Sequence, residues 1–125
     1  MNPKHIVGLL EIVKAKQQSD KNYNWSNDSN TFLDEIKSEV GEVEEEIETG
    51  RTCFLEDELG DVLWDYLNLL QSLENENQIK LERVFERSFQ KYNERWAAIQ
   101  SGSTWSEIKT AQKRKLEIEH ESRRQ

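Results

Sequence analysis

FLDEIKSEVGEVEEEIETGRTCFLEDELGDVLWDYLNLL, residues 32–70, decides the fold. At 100° per residue, Phe32, Ile36, Val40, Val43 and Ile47 fall on one helical stripe. Beyond Gly50, Leu55, Leu59, Val62, Leu63, Tyr66, Leu69 and Leu70 form another. Gly50 is a natural helix terminator. The pattern therefore predicts helices over about 32–49 and 53–74, folded back on each other through the short 50–52 connection. Acids run along the border of both stripes: Glu35, Glu39, Glu42 and Glu46 on the first, Glu58, Asp61 and Asp65 on the second. Gly60, Trp64 and Leu67 point away from the second stripe, which predicts packing on two sides and a subunit interface there. Gly41 and Gly60 lie inside helices, where glycine is costly, and are expected at points of close packing.

Outward from this hairpin the spacing stays helical. Pro3 can open a first helix reaching about Gln18, with Ile6, Leu9, Leu10 and Val13 on one face. Residues 19–30, SDKNYNWSNDSN, read as a polar loop holding Tyr23 and Trp25, and Thr31 is the expected cap of the second helix. Asn75-Glu-Asn77 interrupts the third. A fourth helix is expected over about 79–99, ending near Gly102, and Ser103 or Thr104 starts a fifth that decays into the charged tail KRKLEIEHESRRQ. Nothing alternates as a strand would. The class is all-α, a bundle of four to five helices in one domain of 125 residues, with a charged tail at about 114–125 and packing completed by oligomerisation.

Composition narrows the function. Hydrophobic and charged residues each make up 34% of the chain, so the core must be economical, yet four Trp, four Phe and three Tyr argue against disorder. A net charge of −8 opposes gripping a nucleic-acid polymer. Cys53 is the sole cysteine, which excludes an intramolecular disulfide and a Cys-based metal site, and it is expected to be a packing residue. The apolar start, MNPKHIVGLLEIVKAKQQ, is too short and interrupted for a signal peptide or membrane span, so a cytoplasmic protein with no membrane contact is expected.

Glu39-x-x-Glu42 and Glu58-x-x-Asp61 each set two carboxylates one turn apart on one helix face. An antiparallel hairpin points both pairs at one spot, where four like charges repel unless a cation intervenes. All-oxygen donors suit Mg²⁺, Mn²⁺ or Ca²⁺ rather than Zn²⁺ or copper. The competing reading, a solvated acidic face, fits Glu44, Glu45 and Glu48; it fits the third helix less well, because there the acids border a strongly apolar surface. A di-iron bundle would need Glu-x-x-His from each of two helices; His5 and His120 stand at opposite ends, and only His120, after Glu117 in the charged tail, has that spacing.

IKSEVGEVEEEI and EDELGDVLW together resemble the signature of the MazG family, E-x-x-E, a gap, then E-x-x-D; here 15 residues separate Glu42 from Glu58. NWSNDSNT is similar to the aromatic segment that precedes the first acidic pair in that family. KYNERW, with Lys91 and Arg95, and WSEIK, with Trp105 and Lys109, are similar to its later basic elements, so the resemblance implies a domain core at about 25–113. The chain departs from the pattern at Ser38, where a second consecutive Glu is common, and lacks a Pro-Trp-Asp run before the second helix. The resemblance implies hydrolysis of nucleoside triphosphates to monophosphate and pyrophosphate, a house-cleaning role. It implies Mg²⁺ (Mn²⁺ as substitute) held by Glu39, Glu42, Glu58 and Asp61, with Glu39 or Glu42 as base towards water. The expected substrate residues are Lys91, Arg95 and Lys109 for phosphates, Trp25 for the base, and Asp65 beside the acid cluster. Arg83, Arg87, Lys91 and Arg95 form a ladder on the fourth helix, in which Arg83 and Arg87 are expected to pair with acids such as Glu86 and Glu94. A homodimer or homotetramer is expected. The alternatives are a non-enzymatic helical interaction module, or an all-α hydrolase acting on another nucleotide diphosphate bond.

Overall fold

A computed structural model describes residues 1–22 and 28–123, which form helices α1 (Lys4–Asn22), α2 (Ser29–Thr49), α3 (Thr52–Asn75), α4 (Leu81–Gln100) and α5 (Trp105–Arg123), with no strand among them. The chain divides into two compact units, Met1–Leu81 and Glu82–Gln125.

The first unit is built on the α2–α3 hairpin. Gly50 takes φ +70, the left-handed conformation that closes a helix without steric cost to glycine. The connection is braced by Arg51, whose guanidinium pairs with Glu46 and lies 3.9 Å from the Phe54 ring centroid. At the open end Glu76 accepts 2.9 Å hydrogen bonds from the Ser29 backbone N–H and from the Ser29 hydroxyl. Those two donors hold its carboxyl below the usual range, and its charge sits at the positive N-terminus of α2. The cap of α2 is Asp28 rather than Thr31: Asp28 Oδ1 accepts from the Thr31 N–H at 3.0 Å, so the helix starts one turn earlier than the sequence suggests. α3 ends where expected, with Asn77 at φ 62, a conformation Asn tolerates well.

α1 packs against α3 and Leu67 is buried within the chain, so Leu67 is not part of a free subunit surface, while Trp64 stays half-buried. Val13 and Leu67 are almost fully buried. Between them runs an amide network rather than more apolar packing. Gln17 Nε2 donates to Asn68 O and Oδ1, both at 3.0 Å, and Asn75 Nδ2 donates to Gln17 Oε1 at 2.9 Å. Paired amides of this kind escape the desolvation penalty that would otherwise attend their burial.

The apolar stripes are only partly covered. Phe32 and Leu70 are buried, whereas Val40, Ile47, Leu59, Leu63 and Tyr66 are exposed within the chain. Gly41 and Gly60 do not mark close packing: a methyl group at either would meet nothing within 4 Å. Cys53, in the first turn of α3, is exposed and is not a packing residue within the chain.

In the second unit α4 and α5 meet through polar side chains. Gln112 Nε2 donates to the Lys91 carbonyl at 2.9 Å and to Glu94 at 3.0 Å, while Gln112 Oε1 accepts from Arg95 Nε at 2.8 Å. Thr104 caps α5 as expected, accepting from the Glu107 N–H at 3.1 Å. The helix does not decay at residue 113 but continues to Arg123. Lys, Arg, Leu and Glu are strong helix formers, and no Gly or Pro interrupts the tail.

Candidate metal centre

Positions 42 and 58, 39 and 61, and 35 and 65 lie at equal sequence distances on either side of Gly50. An antiparallel hairpin turning at that glycine places each pair at the same level, which explains why acids from two helices converge. One oxygen each from Glu39, Glu58 and Asp61 lies within 4.8 Å of the others. Glu35, Glu39 and Asp65 form a second such group. Glu42 is exposed, and its carboxyl sits beside those of Glu39 and Glu58.

The electrostatics follow from crowding. Burial, then the adjoining Glu42 and Glu58 carboxyls, then the charges of Glu42 and Asp61, push Glu39 up to about 8. Burial also raises Glu58, as does Glu42, while a hydrogen bond shared with Glu39 works the other way. Glu39 is thus the member that keeps a proton and offers it to Glu58. Asp65 is raised by burial first and then by the charges of Glu35 and Asp61.

A hard cation fits this constellation on two observations. Glu39 Oε2 and Glu58 Oε2 are shut off from solvent with no hydrogen-bond donor, an expensive state for carboxylate oxygens. The donor set is all oxygen, as Mg²⁺ and Mn²⁺ prefer. The acids lie close enough for a metal ion to engage them together.

The basic residues fall in the second unit. Lys91, Arg95 and Lys109 line one cleft of about 680 Å³ between α4 and α5, together with Arg87, Lys113 and Lys115. Lys91 and Lys109 are exposed. Arg95 is not at the rim: only 6% exposed, it is held by Gln112, and its guanidinium carbon lies 4.8 Å from the Trp105 ring centroid and 5.3 Å from that of Tyr92. Arg83 pairs with Glu86 as expected, whereas Arg87 reaches across to Glu119 on α5. Trp25 and Tyr23 lie outside the described residues. Gln112 was not singled out by the sequence; a neutral amide in a charged helix gives no signal until its partners are placed.

The model of the MazG nucleotide pyrophosphohydrolase domain matches residues 27–99, more than half of the chain. The chain belongs to the MazG family. No curated protein and no solved structure matches it significantly. The MazG match takes in α2, α3 and nearly all of α4, hence all four acids of the motif together with Lys91 and Arg95. Membership places the protein among nucleotide pyrophosphohydrolases, and no helix of the described residues is long and apolar enough to cross a membrane.

Proposed function

We propose that this chain hydrolyses nucleoside or deoxynucleoside triphosphates between the α and β phosphates, releasing a monophosphate and pyrophosphate. Mg²⁺ is the working cation, with Mn²⁺ as substitute. The observation that carries this reading is the pair of solvent-closed, donorless oxygens on Glu39 and Glu58, one on each helix of the hairpin that the MazG match covers. A triphosphate and a carboxylate cluster repel unless cations lie between them.

Glu39, Glu42, Glu58 and Asp61 would hold the cation, which supplies charge neutralisation at the phosphates and a lowered pKa for water. Glu42, rather than Glu39, takes the proton from the attacking water on a carboxylate oxygen, because it is exposed while Glu39 Oε2 is closed off. Lys91 and Lys109 neutralise the triphosphate chain, and Arg95 contributes charge from a fixed position beneath them. The apolar residues left open on α2 and α3, and Phe89 and Trp96 on α4, are covered by further copies in a homodimer or homotetramer. The setting is cytoplasmic and the role is keeping the nucleotide pool clean.

Pyrophosphate and orthophosphate release, measured across a panel of ribo- and deoxyribonucleoside triphosphates with Mg²⁺ or with a chelator, tests the reading. Mg²⁺-dependent pyrophosphate release is expected. Orthophosphate as the first product, or no turnover of any nucleotide, overturns it.

A further inference from the structure

The acidic ladder does not stop at the four motif residues. Glu35 lies one turn before Glu39 on α2, and Asp65 lies one turn after Asp61 on α3, at matching distances from Gly50. Oxygens of Glu35, Glu39 and Asp65 lie within 4.8 Å of one another. Asp65 is only 7% exposed, and its Oδ2 is closed to solvent with no hydrogen-bond partner. Among the described residues no Lys or Arg forms an ion pair with any of the three. A carboxylate buried in this way is strongly unfavourable without compensation, and an apolar side chain would serve better at Asp65 if packing alone mattered. Around Asp65 Oδ2 no base or N–H donor is found among the described residues, and the nearby carboxylates are two more acids. That leaves a cation.

We propose that Glu35, Glu39 and Asp65 form a second divalent-cation site, sharing Glu39 with the Glu39–Glu42–Glu58–Asp61 site, so that each chain takes two hard cations. The inference rests on the reading of the first site as a cation site and extends it. Glu39 belongs to both groups, and that shared place makes it the bridge. Octahedral Mg²⁺ holds its ligands at about 2.1 Å, so adjacent oxygens are about 3 Å apart and opposite ones about 4.2 Å. The oxygens of the three acids, within 4.8 Å of one another, lie near that spacing. Glu35 is exposed, which gives the ion a route in and leaves coordination positions for water or phosphate oxygens. Asp65 therefore acts on the substrate through this cation and not by direct contact.

The test is titration of the intact, nucleotide-free protein with Mn²⁺, following the electron paramagnetic resonance signal of the free ion. The parent is expected to bind two Mn²⁺ per chain. Glu35→Gln and Asp65→Asn should each weaken one of the two at least tenfold and leave the other unchanged, whereas Glu58→Gln should weaken the other. Glu35 is on the surface, so Glu35→Gln decides the matter should Asp65→Asn fail to fold by circular dichroism. One Mn²⁺ per chain in the parent, unaltered in Glu35→Gln, overturns the second site and leaves the first standing. Two Mn²⁺ retained in both variants overturns it as well, by moving the second ion elsewhere. No binding at all removes both sites together.

Discussion

Removing the Glu39 carboxylate charge should flatten the pH dependence of stability in the metal-free protein. In the folded chain Glu39 keeps its proton up to about 8, because it is buried first of all and then surrounded by Glu42, Glu58 and Asp61. In the unfolded chain it titrates near 4.5, the ordinary value for a glutamate. Between those two values the folded state holds the extra proton, so stability falls as pH rises; below the lower one both states are protonated and there is no loss. A whole proton of difference costs about 1.4 kcal/mol per pH unit. Water around exposed Glu42 and Asp61 screens part of this, so a total loss of about 1–2 kcal/mol between pH 5 and pH 8 is expected. For a chain of this size that corresponds to a fall of roughly 3–10 °C in Tm. Thermal unfolding by circular dichroism, in chelator, at half-unit steps reads it out. Glu39→Gln should show a markedly shallower fall and should exceed the parent in Tm at pH 8. A parent and variant with parallel profiles would refute the account of the cluster's electrostatics. Saturating Mg²⁺ should reverse the slope in the parent, since only the deprotonated cluster binds the ion.

Three further outcomes are expected. Glu42→Gln, Glu58→Gln and Asp61→Asn should each lose most turnover while keeping far-ultraviolet circular dichroism, and near-normal rates in any two would sink the site assignment. Lys91→Ala should weaken binding of a non-hydrolysable triphosphate by a charge-assisted contact's worth, about 1.5–3 kcal/mol by isothermal titration, with Mg²⁺ binding alone unchanged; unaltered nucleotide affinity would move the phosphate site away from Lys91. Light scattering at micromolar concentration should give an even-numbered multiple of the chain mass, and a sharp monomer would contradict the reading of the open apolar faces.

Much of this was legible in the sequence because the decisive signals are local. The stripe spacing, Gly50 and the paired acids fix the α2–α3 hairpin, and the hairpin alone brings Glu39, Glu58 and Asp61 together. What escaped depends on partners distant in sequence. Gln17, Asn68 and Asn75 dock α1 by amide pairing, which leaves no trace in a hydrophobic pattern, so the Leu67 face read as open. Asp28 and Thr31 are both good caps, and only the backbone at Asp28 chooses between them. Lys91 and Arg95 looked alike on a helical wheel. Gln112 and Trp105, from the next helix, bury one and leave the other free to meet solvent. Glu35 sat among many acids of α2, and its partnership with Asp65 shows only when positions are counted outward from Gly50.

Hydrolysis in ¹⁸O-water reads out whether water attacks the α-phosphorus under the control of this acid cluster. With Mg²⁺ present, mass spectrometry should find the label in the nucleoside monophosphate and none in the pyrophosphate, and Glu58→Gln should abolish both products. Label in pyrophosphate would mean attack at the β-phosphorus, and undiminished labelling with Glu58→Gln would mean that the chemistry takes place elsewhere; either result contradicts the account.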